Sequence, residues 1–246
     1  MAKPSALVVY SGGTSPGFEE SFAARGFGAR CVPSHRIEAT PPELPAGARV
    51  DRLIFTSRNA VEAFGPAGLA RYPNARVIAV GEATRETLAR FGRRGDVPGI
   101  ASAEGLLEGL PARLDGEFVL WPRGEDADLA LAGELRARGA EVGAPSVYRK
   151  VPLEFPADLE PEIRDRKYAA YSCTSGAAAR WLYGNLAPRQ AEILRSIPAA
   201  VLGKKTADVL RGLGAANTAI AEGASFESLA ESLLALLEDA THRSKT

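Results

Sequence analysis

Leu53-Ile54-Phe55-Thr56-Ser57-Arg58-Asn59-Ala60-Val61-Glu62-Ala63-Phe64 holds the fold in miniature. Three apolar residues without polar alternation read as a strand buried on both faces. Thr56-Ser57 then supplies a helix start, and Ala60, Val61 and Phe64 share one face of the helix that follows. The alternation continues on both sides of this stretch. Val8-Val9-Tyr10, Val77-Ile78-Ala79-Val80, Phe118-Val119-Leu120-Trp121, residues 168–172, Ala199-Ala200-Val201-Leu202 and Ala219-Ile220-Ala221 read as strands. Helical spacing follows them, through residues 18–25, through Thr84, Leu88 and Phe91, and through Leu129, Leu131 and Leu135. Apolar strands alternating with amphipathic helices predict an α/β fold whose parallel sheets are flanked by helices. Residues 34–50 and 146–158 break the rhythm: they hold Pro41, Pro42, Pro45, Pro152 and Pro156 and fit no helix period, which marks them as crossings between domains. Residues 241–246 are expected to fray.

The chain also repeats itself. Thr56-Ser57 recurs as Thr174-Ser175, an offset of 174 − 56 = 118. Gly81, Thr84, Leu88 and Gly92 recur as Gly203, Thr206, Leu210 and Gly214, each offset by 122, and Ser102-x-Glu104-x-Leu106 recurs as Ser225-x-Glu227-x-Leu229, offset by 123. Slowly drifting offsets are the trace of a duplication followed by small loop insertions. Two copies are too few for a solenoid, so the repeat predicts two similar α/β domains. Chain order leaves open which halves pair.

Composition narrows the chemistry. The 246 residues carry 30 Lys+Arg against 30 Asp+Glu, so binding nucleic acid through bulk positive charge is excluded. Cys31 and Cys173 are the two cysteines and His35 and His242 the two histidines, which argues against a disulfide framework, a zinc centre or a Ser-His-Asp triad. No metal and no cofactor is expected. The first apolar run, residues 6–10, is too short for a signal peptide core, and no run reaches the roughly 18 residues of a membrane span. A cytoplasmic monomer without nucleic-acid or membrane partners is the expectation.

Parallel α/β sheets bind ligands beyond the carboxyl ends of their strands. Those ends carry Thr56-Ser57, Gly81 to Thr84, Thr174-Ser175-Gly176, Gly203 to Thr206 and Ser225. Each is also an ordinary helix start, with a hydroxyl cap worth about 1 kcal/mol. Five together, with unpaired N–H groups and the positive ends of helix dipoles, suit a polyanionic ligand. Arg123 has the reach to pair with a carboxylate, and Lys204-Lys205 stands at a helix start, where the dipole disfavours cations. Residues 11–17 are glycine-rich but lack the spacing of a nucleotide loop and read as a flexible loop. Glu125, Asp126 and Asp128 fit a first-turn acid cluster, Cys173 a small buried residue, and Tyr148 either a packed aromatic or a hydroxyl donor. His35 is an acid–base candidate only where it faces a ligand.

Taken together, Phe55-Thr56-Ser57-Arg58-Asn59-Ala60-Val61, Ala79-Val80-Gly81-Glu82-Ala83-Thr84, Arg123-Gly124, Gly139-Ala140-Glu141-Val142, Val147-Tyr148-Arg149, Thr174-Ser175-Gly176 and Leu202-Gly203-Lys204-Lys205-Thr206-Ala207 resemble the uroporphyrinogen-III synthase family, in order and over nearly the whole chain. The resemblance implies two α/β domains joined by a two-stranded linker, one built from residues 1–37 and 151–246 and the other from 38–150. It implies a cofactor-free cyclisation of the linear tetrapyrrole hydroxymethylbilane, a substrate with eight carboxylates, to uroporphyrinogen III with inversion of the last pyrrole ring. Tyr148 is then the proton donor to the departing hydroxyl. Thr56, Ser57, Gly81, Thr84, Arg123, Thr174, Ser175, Gly203, Lys204 and Thr206 are the substrate-binding positions. Three departures stand out: the first strand ends Tyr10-Ser11-Gly12-Gly13 where relatives have Thr-Arg-Pro, Cys173 replaces a usual Ser or Thr, and Lys204-Lys205 replaces less charged pairs. Two other readings stay open at this point, a non-catalytic tetrapyrrole- or polyanion-binding module on the same scaffold and a nucleotide- or sugar-binding protein of two domains.

Overall fold

The computed structural model describes residues 3–12, 17–44, 49–100, 102–223 and 225–243. Its elements in chain order are β1 (Ser5–Ser11), α1 (Phe18–Ala24), β2 (Gly28–Ala39), β3 (Arg52–Phe55), α2 (Arg58–Ala70), β4 (Arg76–Ala79), α3 (Glu82–Arg90), α4 (Ala103–Glu108), β5 (Phe118–Leu120), β6 (Arg123–Gly124), α5 (Ala130–Ala137), β7 (Glu141–Gly143), β8 (Ser146–Pro152), α6 (Leu159–Arg164), β9 (Tyr168–Cys173), α7 (Gly176–Asn185), α8 (Pro188–Ser196), β10 (Ala199–Val201), α9 (Lys204–Gly212), β11 (Thr218–Ile220) and α10 (Phe226–Arg243). They form two compact units, Met1–Arg36 with Val151–Thr246, and Ile37–Lys150.

The first unit is built on parallel strands in the order β11-β10-β9-β1-β2. Alternation along β1 shows why its run is apolar throughout. Leu7 and Val9 pack with Ala178, Leu182, Leu194, Ala207 and Leu210 of α7, α8 and α9. Ala6 and Val8 face the other way, onto Phe18 and Phe22 of α1 and Leu229, Leu233 and Leu237 of α10. Each strand residue thus buries its side chain in one of two helical layers, and period-2 polarity has no place.

The second unit repeats the plan with the parallel order β4-β3-β5-β7. Leu53, Phe55, Val77 and Ala79 pack on Val61, Phe64 and Leu88 of α2 and α3. Ile54, Ile78, Val119 and Trp121 pack on Leu106, Leu131 and Leu135 of α4 and α5. The α/β class and the flanked parallel sheets read from the sequence are what the molecule has. Helix α2 kinks at Gly65, where φ is 66° ahead of Pro66.

The proline-rich crossings, read as breaks in the strand–helix rhythm, are in part strands. Residues 34–39 belong to β2 and 146–152 to β8. Pro33 and Pro152 hid them, because proline has no N–H to give a sheet ladder and lowers the strand signal. The expected first-turn acid cluster is also displaced. Helix α5 starts at Ala130 with no acid in its first turn; Asp128 accepts the Ala130 N–H at 3.0 Å just ahead of it, and Asp126 pairs with Lys150 at 2.9 Å. Residues 13–16 of the glycine-rich segment, residues 45–48 of the first crossing and residues 244–246 of the tail lie outside the described residues.

Candidate active site

In both units the strand order reverses about one pair of neighbours, and polar side chains bridge the two strand ends there. From β1 the first unit continues to β2 on one side, while β9, β10 and β11 succeed one another on the other. In the second unit β3 is followed by β4 on one side and β5 on the other. Such switch points open crevices at the carboxyl ends of parallel strands.

At the first switch point Ser11, closing β1, lies 3.1 Å by its hydroxyl from that of Ser175, just past β9. Ser175 caps α7, its Oγ accepting from the Ala178 N–H at 3.1 Å. Thr174 is half-buried and donates its backbone N–H to Val9 O at 2.9 Å, which extends the β1–β9 pairing to this edge. One strand over, Gly203 precedes α9 in extended conformation without a side-chain cap, and Thr206 N–H returns to its carbonyl at 3.1 Å. The Thr206 side chain is half-buried; Lys204 and Lys205 are exposed and form no ion pair among the described residues. The cations therefore stand uncompensated at the positive end of the helix dipole.

At the second switch point Trp121 Nε1–H donates to Thr56 Oγ1 at 3.2 Å, tying the ends of β5 and β3. Ser57 caps α2 through Ala60 N–H at 3.2 Å, and its Oγ lies 3.4 Å from the Tyr148 hydroxyl. Tyr148 is 6% exposed and belongs to the α2–α3 core layer, a packed ring whose hydroxyl lies beside the Ser57 cap. Gly124 makes room for that ring, since a Cβ there would sit 2.7 Å from its Cζ. Gly81 opens α3 as Gly203 opens α9. Thr84, expected to bind substrate, is instead turned inward, 5% exposed, with its N–H returned to the Gly81 carbonyl at 3.0 Å. Arg123, expected to meet a ligand carboxylate, instead donates from Nε to Ala144 O at 3.0 Å and from Nη1 to Gly124 O and Glu125 O at 2.8 and 3.1 Å. It braces the turn that carries Gly124, and Nη2 alone is left for anything else.

The family model for uroporphyrinogen-III synthase HemD matches residues 17–231. The chain belongs to the uroporphyrinogen-III synthase family. It is 29% identical over 182 residues to the uroporphyrinogen-III synthase of Synechococcus elongatus, covering 67% of this chain and 69% of that one. The fold is shared with two solved structures. A mutant uroporphyrinogen III synthase from Thermus thermophilus superposes with a TM-score of 0.62 at 19% identity, over 95% of this chain and 99% of its own. The Helicobacter pylori enzyme gives 0.62 at 21%, over 96% and 100%. The uroporphyrinogen-III synthases are lyases of haem biosynthesis, and nothing in these relatives favours a non-catalytic module.

Within this family frame, sequence reasoning passed over Ser34 at the first edge, placed Ser11 only in a glycine-rich loop and kept His35 as a conditional acid–base candidate. Ser34 is completely buried, donates its hydroxyl to Tyr10 O at 2.8 Å and lies 3.2 Å from Ser11 Oγ. His35 is 8% exposed with Nδ1 at 2.9 Å from Ser34 Oγ. No local pattern announces this cluster, because Ser11 and Ser34 stand 23 residues apart and Ser11 and Ser175 164 apart. Cys173 is fully buried, and burial pushes its thiol above the ordinary range, which suits packing and not nucleophilic attack. Among the described residues no three His, Cys, Asp or Glu side chains gather as a metal site, and no helix is long and apolar enough to cross a membrane.

Proposed function

We propose that this chain cyclises hydroxymethylbilane to uroporphyrinogen III, inverting the last pyrrole ring, at the carboxyl ends of its parallel strands. One observation supports this above the others: the same strand end occurs twice, with a serine-capped helix beside a glycine-opened one. Ser57 and Ser175 cap α2 and α7, while Gly81 and Gly203 open α3 and α9 without a side-chain cap. Each pair turns first-turn N–H groups outward, the arrangement that takes carboxylates. A substrate with eight carboxylates needs many such anchors, and Lys204 adds an exposed cation.

The reaction opens with loss of hydroxide from the first ring to give an azafulvene. The last ring attacks through its substituted carbon to form a spiro-pyrrolenine, which breaks and rejoins the other way round. A final proton loss completes the macrocycle, so bilane yields uroporphyrinogen III and water. Tyr148 is the proton donor to the leaving hydroxide, its hydroxyl steadied by Ser57. Thr56, Ser57, Gly81, Thr174, Ser175, Gly203, Lys204 and Thr206 hold the chain, Thr84 supports α3 from within, and Arg123 acts by shaping the turn behind Tyr148. Holding a flexible bilane in the inverting geometry supplies much of the rate, since orientation is worth roughly 7–11 kcal/mol. The test is to supply enzymatically generated hydroxymethylbilane and follow its loss. Saturable consumption well above the rate in buffer supports the proposal, and a rate equal to that of buffer overturns it.

A further inference from the structure

One arrangement of hydrogens satisfies every close contact among the hydroxyls at the first switch point at once. A serine hydroxyl has one hydrogen and two lone pairs, and a backbone carbonyl can only accept. Ser34 gives its hydrogen to Tyr10 O at 2.8 Å. Its Oγ is therefore an acceptor in its other contacts, taking His35 Nδ1–H at 2.9 Å and the Ser11 hydrogen at 3.2 Å. With its hydrogen so used, Ser11 accepts at 3.1 Å from Ser175. Ser175 in turn has no hydrogen left, and accepts the Ala178 N–H at 3.1 Å. Ser34 is then saturated and wholly buried. Ser11 and Ser175, both half-buried, each keep one unused lone pair and no unused hydrogen. One carbonyl beneath the sheet edge thus makes two neighbouring hydroxyls into acceptors.

An acceptor-only patch repels an ionised carboxylate, which is itself acceptor-only, and takes a donor. We infer that Ser11 and Ser175 together receive a pyrrole N–H of the substrate, while its carboxylates go to the backbone N–H groups at the neighbouring helix starts. This rests on the proposed cyclase function and adds to it a second kind of contact, one that reads ring orientation. A pyrrole turned over presents its N–H elsewhere, so the patch favours one face of the ring. Ser34 and His35 are positioning residues: they touch no substrate and set the direction of the hydrogens that face it.

The experiment compares two competitive inhibitors, a dipyrromethane tetracarboxylate without a hydroxymethyl group and its N,N′-dimethyl derivative. The wild-type protein is expected to bind the N–H form about tenfold more tightly, the scale of one buried hydrogen bond. Ser11→Thr keeps the hydroxyl and should keep the preference. Ser11→Ala removes one acceptor and releases the Ser175 hydrogen, and Ser34→Ala releases the Ser11 hydrogen without touching the ligand. In both the preference should fall to about twofold or less, with thermal melting confirming folded protein. Should Ser34→Ala fail to fold, the Ser11 pair of variants carries the test. Equal binding of the two inhibitors to the wild type, or an undiminished preference in Ser11→Ala, overturns the inference. Failure of the wild-type protein to consume bilane is a separate result, and it overturns the cyclase reading instead.

Discussion

Tyr148 and Gly124 show how tightly a single contact is set. The Tyr148 ring fills space that only glycine leaves open, and its hydroxyl reaches Ser57 at 3.4 Å. Tyr148→Phe should lower turnover roughly tenfold or more, as loss of a general acid does, with little change in melting temperature. Steady-state rates on bilane check this, and an unchanged rate removes Tyr148 from the chemistry. Gly124→Ala places a Cβ 2.7 Å from the ring and 2.9 Å from its hydroxyl, so the ring must move. Overpacking of this kind costs about 1–3 kcal/mol, and the variant should lose both melting temperature and turnover. Thr206→Val should raise KM and leave kcat close to wild type, because a half-buried hydroxyl at a strand end binds and does not react; an unchanged KM counts against its place at the site. The places of Tyr148 beside Ser57 and of Thr206 in the first turn of α9 were legible from sequence through their motifs. Ser34 and the bracing of Arg123 were not, since a serine after a proline and an arginine in a loop look the same whether or not a carbonyl lies beneath them.

The elements were legible where their signals are local. The repeated serines and glycines mark starts or stops of the same strand–helix unit, and the repeated leucines its buried helix face. Ser57, Ser175, Ser102 and Ser225 accept from the N–H three residues on, at 3.0 to 3.2 Å. Gly92 and Gly214 end α3 and α9 with φ of 73° and 92°, a conformation that disfavours side chains. Removing a cap should therefore cost one helix end alone: Ser57→Ala is expected to lose about 1 kcal/mol, visible as a lower midpoint in urea. The short α6 was missed because its six residues include Pro161 and one of its anchors, Arg30, stands 132 residues away in the chain. Its Glu162 accepts from the Tyr168 hydroxyl, Arg30 and, at 3.2 Å, Lys167. Burial by itself would raise the Glu162 pKa, yet these donors outweigh it and hold the carboxyl below the ordinary range. A carboxylate with a lowered folded-state pKa adds stability that is present above its unfolded value, about 4.3, and is lost as pH falls from there through the folded value. Glu162→Gln should accordingly flatten the fall of stability below about pH 4.5; an identical acid limb in wild type and variant would show the network contributes nothing there.

At the scale of the molecule, two units each repeat one plan, a parallel sheet between two helical layers with a polar bridge across its switch point. Duplication was readable because caps and turn glycines tolerate little substitution and so preserve their spacing. The strand order was not, because a parallel strand buried on both faces carries no mark of its neighbours. That Ser11 of β1 meets Ser175 beyond β9 follows only from the folded order β9-β1-β2. The central claim is that these edges hold an acid-rich tetrapyrrole so that its last ring closes in the inverted sense, a path the free bilane does not follow in water. The most direct measurement oxidises the product formed from hydroxymethylbilane to porphyrin and separates the isomers. Folded protein should yield predominantly the type III porphyrin; the type I isomer alone, formed in the presence of folded protein, would contradict the account.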